Sequence, residues 1–129
     1  MAEIVIFEKD LDLADNICEM LKYGNFNPVV LKSLPEGIKI PSHHPSLLIV
    51  GFEDRNDHAF LAKIDQLCAH YHCPLIILSP GLLGPNEIEQ CNCKLKKEIV
   101  NKPFTFRSLH SAVLKLLKET STDTPALVN

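Results

Sequence analysis

Leu47-Leu48-Ile49-Val50-Gly51 and Pro74-Leu75-Ile76-Ile77-Leu78, with residues 57–70 between them, decide the fold. A strand that meets water on one face alternates apolar and polar residues. A run that is apolar at every position suits a strand covered on both faces, as in a parallel sheet. Between the two runs, Asp57 can cap a helix reaching about His70, with Phe60, Leu61, Ile64, Leu67 and Cys68 on its buried side. Strand, helix and strand in this order predict a right-handed crossover between parallel neighbours.

The same alternation continues outward in both directions. Ile4-Val5-Ile6-Phe7 reads as a first strand, rich in β-branched residues. A helix follows, capped by Asp10 or Asp12, with Leu13, Ile17, Met20 and Leu21 at helical spacing until Gly24 and Asn25 end it. Pro28-Val29-Val30-Leu31 reads as a second strand. From Leu34 to Pro41, two prolines and a glycine leave room for little more than a turn of helix. Beyond Leu78, Ser79-Pro80-Gly81 closes the fourth strand, a weak helix is expected around Pro85–Gln90, and Glu98-Ile99-Val100-Asn101 forms a fifth strand. Phe106, Leu109, Val113, Leu116 and Leu117 give the last helix, Thr105 to Glu119, a broad apolar stripe. Residues 1–119 are thus expected to form one domain and residues 120–129 a flexible tail or linker.

Strands and helices that alternate in this way call for an α/β fold, a three-layer sandwich with one parallel sheet covered on both faces. Five strands fit the flavodoxin-like order 2-1-3-4-5, in which ligands sit beyond the carboxyl ends of the strands, beside the first. Composition narrows the class. The chain has 129 residues, 46% hydrophobic and 22% charged, with a net charge of −3, so no basic field recommends nucleic acid as a partner. The longest apolar runs are too short to span a bilayer, and the first seven residues lack the features of a signal peptide. A cytoplasmic protein is expected, its five cysteines mostly thiols.

The residues at the strand ends carry the functional reading. They are Glu8-Lys9-Asp10 after the first strand, Gly51 after the third, Ser79 after the fourth, and Lys102-Pro103-Phe104 after the fifth. This array resembles the receiver domain of bacterial response regulators over residues 3 to about 119, most specifically in Lys102-Pro103-Phe104 with a helix directly after it. The resemblance implies magnesium held by two adjacent acids and a third-strand aspartate, which accepts a phosphoryl group. It also implies a lysine that neutralises the phosphoryl oxygens and a fourth-strand hydroxyl that turns to bond them. Ser79 and Lys102 match. Glu8 takes the first acidic position, but Lys9 takes the second and would repel a dication. Gly51 stands where the acceptor aspartate belongs and cannot be a nucleophile. The usual aromatic of the fifth strand falls on Ile99, and Pro80 replaces the small residue after the hydroxyl. The chain therefore reads as a pseudo-receiver: no enzyme, no cofactor, and a vestigial pocket of Glu8, Lys9, Gly51, Ser79 and Lys102.

Such a module is expected to signal through a protein partner, with Lys102 paired to Glu8 and Lys9 near Asp54 or Asp10. In this family the face of the fourth helix, fifth strand and fifth helix is often used. Leu114, with His110 one turn before it, falls at the margin of the last helix's stripe. Packing under a neighbouring loop is the simpler reading of Leu114, and a homodimer or partner contact the alternative. Two rival chemistries stay open. Asp54 is a candidate substitute acceptor, although the loop displaces it from the third strand's end. Cys68 and Cys73, with Cys91 and Cys93, could approach one another as soft ligands for zinc or as a thiol sensor. Neither pair has zinc-knuckle spacing, however, and Cys68 also belongs to a buried helix stripe. Flavin binding is excluded, because Glu8-Lys9-Asp10-Leu11 is no phosphate-cradling loop.

Overall fold

The computed structural model describes residues 2–31, 44–51, 58–79 and 97–123, without the side chains of 58, 60, 61 and 119–123. It contains β1 (Glu3–Phe7), α1 (Leu11–Tyr23), β2 (Asn27–Leu31), β3 (Leu47–Gly51), α2 (His58–Tyr71), β4 (Leu75–Ser79), β5 (Lys97–Asn101) and α3 (Phe106–Asp123). The five strands form one sheet in the order β2-β1-β3-β4-β5, and every pairing is parallel. This is the flavodoxin-like α/β arrangement that the alternation of apolar runs predicts.

Burial follows the logic of a doubly covered sheet. Every residue of β4 is buried, and so are Leu47, Leu48, Ile49 and Val50 of β3. Val5, Phe7, Leu48, Val50, Leu75 and Ile77 pack on one face with Ile64, Leu67 and Cys68 of α2. Ile4, Ile6, Leu47, Ile49, Ile76 and Leu78 pack on the other with Ile17 and Leu21 of α1 and Leu109, Val113 and Leu116 of α3. Successive residues of a strand point to opposite faces, so each apolar run supplies both cores at once. Edge strands are treated differently. On β2 no residue is fully buried, and Pro28 is tolerated there because an edge strand needs fewer ladder donors. Pro74 lies just outside β4, where its carbonyl still accepts from Leu48 N at 3.0 Å.

Helix ends show which residues do the capping. Asp10, rather than Asp12, is the N-cap of α1, accepting from Leu13 N at 3.2 Å. At the other end Asn25, not Gly24, adopts positive φ (67°). Gly24 serves close approach instead: a Cβ there would stand 3.1 Å from the His110 ring and 3.2 Å from that of Phe26. Thr105 and Ser108 form a reciprocal cap on α3: Ser108 N donates to Thr105 Oγ1 at 3.1 Å, and Thr105 N donates to Ser108 Oγ at 3.0 Å.

Two expectations need correction. The last helix runs to Asp123 rather than ending at Glu119. Serine and threonine lower helix propensity by only a fraction of a kcal/mol, and no proline or glycine interrupts residues 119–123. Leu114 is 47% exposed, rather than packed away at the margin of the stripe. Other expectations fall outside the described residues: the segment Leu34–Pro41, the cap Asp57, the stripe side chains Phe60 and Leu61, the weak helix Pro85–Gln90, and the tail beyond Asp123.

Candidate functional site

The carboxyl ends of β1, β3, β4 and β5 lie side by side, as the pairing dictates. Phe7 is registered with Val50, Gly51 with Leu78, and Ser79 with Asn101. Glu8, Gly51, Ser79 and Lys102 are therefore gathered at one end of the sheet. Lys102 N donates to the Ser79 carbonyl at 2.7 Å, which ties the chain leaving β5 to the end of β4. The Lys102–Pro103 peptide is cis. Ser79 is fully buried.

Lys102 Nζ donates to Glu8 Oε1 at 2.8 Å, the pairing expected once no third-strand acid is present. The two partners differ in environment. Glu8 has no exposed side-chain surface, while 23% of the Lys102 side chain reaches solvent. Glu8 Oε2 is buried with no hydrogen-bond partner among the described residues. The carboxylate lies over Gly51: a Cβ at position 51 would stand 2.6 Å from both Cδ and Oε1 of Glu8, and nearer still to Oε2. Real Cβ atoms essentially never approach so closely, so any other residue at 51 would require Glu8 to move.

Lys9 is exposed, and Asp10 is committed to capping α1. Among the described residues, the site thus contains one carboxylate, already neutralised by an ammonium, with a further lysine following it in the chain. Hard dications bind clusters of oxygen ligands, and this donor set does not offer one. Among the described residues, no group of three or more His, Cys, Asp or Glu could hold a metal ion. Cys68 and Cys73 are thiols within the apolar core on the α2 face, a placement the helix stripe implies for Cys68. Their expected counterparts Cys91 and Cys93 lie outside the described residues, as does Asp54. Ile99 is half-buried on β5.

Sequence reasoning places Glu8, Ser79 and Lys102 together but misses the reach of Glu8 across to Gly51. The signal was available in principle. With Phe7 opposite Val50, the next pair along the two strands is Glu8 and Gly51. A glutamate has one methylene more than an aspartate, and a glycine leaves it room.

No family model matches the sequence, and no curated protein matches it. Solved structures do. A response regulator receiver domain protein from Methanospirillum hungatei superposes with a TM-score of 0.79 at 16% identity, over 95% of this chain and 98% of that one. A chemotaxis protein from Vibrio cholerae gives a TM-score of 0.76 at 12% identity, over 90% and 98%. A putative pilus assembly protein from Burkholderia thailandensis gives 0.72 at 14% identity, over 92% and 99%. The fold is that of response-regulator receiver domains, over nearly the whole chain. Among the described residues, no helix is long and apolar enough to cross a membrane.

Proposed function

We propose that this domain is a signalling module of the two-component type that works by protein–protein contact and not by aspartyl phosphorylation. The observation that carries the reading is Gly51 at the end of β3, in the position the receiver resemblance assigns to the phosphoryl acceptor. Lys9 at the second acidic position and the engagement of Lys102 by Glu8 support it, because magnesium and a phosphoryl group would each need those places. On this reading the module is no enzyme, and it passes its signal to a protein partner through its surface. The groove between β5 and α3, about 550 Å³ and lined in part by Ile99, Val100, Phe104 and Ala112, is the surface that fits that role.

Intact-mass measurement after incubation with acetyl phosphate and magnesium tests the proposal. The expected result is an unmodified protein. A labile, magnesium-dependent phosphoryl adduct would overturn it, and loss of that adduct in an Asp54→Asn variant would assign the substitute acceptor.

A further inference from the structure

The position of Glu8 has a chemical meaning beyond an ion pair. The carboxyl carbon of Glu8 is 2.6 Å from the Cβ position of residue 51, farther than an aspartate's own carboxyl carbon, but its oxygens stand at about the distance that two covalent bonds span. That is the separation between the Cβ of an aspartate and its own carboxylate oxygens. Lys102, just after β5, donates to this carboxylate, and Ser79 ends the neighbouring strand. Glu8 Oε2 is buried, directed at the space over Gly51, and has no hydrogen-bond partner among the described residues. Leaving a buried carboxylate oxygen unpaired is costly, so its position needs a reason.

We infer that the site is an anion-binding pocket filled from within. The Glu8 carboxylate is its built-in ligand, delivered from β1 to the place a carboxylate on β3 would occupy. Gly51 is the residue that makes room for it. The inference rests on the receiver-like reading of the site and deepens it by naming what holds the pocket in one state. The carboxylate has changed strands while the lysine partner has stayed. Small carboxylates should enter the pocket in trans only when Glu8 is removed.

A strand swap tests this. Glu8→Ala and Gly51→Asp are each expected to lower the urea unfolding midpoint, the first by leaving Lys102 without its carboxylate, the second by driving a side chain into Glu8. The double variant Glu8→Ala/Gly51→Asp moves the carboxylate back to β3 and should recover at least half of the summed loss. In Glu8→Ala alone, formate should raise the melting temperature with saturation, while chloride at equal ionic strength should not. A double variant as unstable as the sum of the two singles, or rescue by chloride equal to that by formate, would overturn the inference. Should Glu8→Ala fail to fold, Gly51→Ala serves instead. Its loss should be relieved in a Glu8→Asp background, where the acid is one methylene shorter, and an equal loss in both backgrounds would overturn the inference. These readouts concern folding alone, so a failure here is distinct from a phosphoryl adduct in the mass measurement.

Discussion

The lysine–glutamate pairs Lys102–Glu8 and Lys115–Glu98 lie to either side of β5, and they have little in common beyond their residue types. Lys102 and Glu8 meet at the carboxyl ends of the strands, with 23% and 0% of their side-chain surfaces exposed. Lys115 of α3 and Glu98 of β5 meet on the flank of the sheet, with 59% and 27% exposed. On the flank, water solvates both charges whether or not they touch, and salt screens them. At the strand ends, Glu8 has given up its hydration and depends on the Lys102 ammonium. Position in the fold, not residue type, decides which pair matters.

The strongest way to break this comparison is to remove the ammonium from the inner pair. Lys102→Met keeps the aliphatic bulk and leaves the Glu8 carboxylate buried and unpaired. Breaking such a pair from one side costs about 3–5 kcal/mol when both partners are buried, and about 3 kcal/mol is expected here because part of Lys102 reaches water. Urea unfolding would read this as a lowered midpoint with an unchanged slope. Removing the acid instead should cost less, because Lys102 can turn its amine towards solvent along its flexible stem. Equal losses from Lys102→Met and Glu8→Ala would mean that the lysine is as confined as the acid.

Much of this was legible in the residues, and the limits have physical causes. The runs at residues 4–7, 47–50 and 75–78 are apolar at every position, and only a doubly covered strand explains that. Local chemistry was less decisive. Asp10 and Asp12 are equally good caps on paper, and the structure selects Asp10, in the extended conformation an N-cap requires. Gly24 and Asn25 together mark the end of α1 in the sequence, and the structure divides the work between them: Asn25 adopts the positive φ that asparagine tolerates, and Gly24 gives space against His110. The extension of α3 to Asp123 depends on how far a helix continues through weak formers, which propensity decides poorly. At the site, the residue types announced the Lys102–Glu8 pair. The reach of Glu8 over Gly51 needed the register of β1 against β3, a long-range fact that no local pattern contains.

The last helix, α3, joins the two regions. α3 begins just after Lys102 and carries Lys115, and its first turn is held by the Thr105–Ser108 cap. Thr105→Ala removes the hydroxyl that accepts from Ser108 N and should cost about 1 kcal/mol. Amide hydrogen exchange should quicken in the first turn of α3. Protection spread evenly along the helix would show instead that packing of Leu109 and Val113, not the cap, holds that turn.

The smallest expected effect belongs to the outer pair, and it is the most diagnostic for that reason. Lys115→Gln removes the charge while keeping a long polar side chain on the exposed face of α3. An exposed pair of this kind contributes about 0.5 kcal/mol or less, and the contribution shrinks as salt shortens the screening length. Wild type and Lys115→Gln should therefore differ slightly in low salt and become indistinguishable in urea unfolding at high salt. The loss in Lys102→Met should persist at high salt, because ions in solution do not screen a carboxylate that the fold has sealed from water. If both losses faded together, the inner pair would be solvent-screened after all, and the burial of Glu8 would no longer explain why position 51 is glycine.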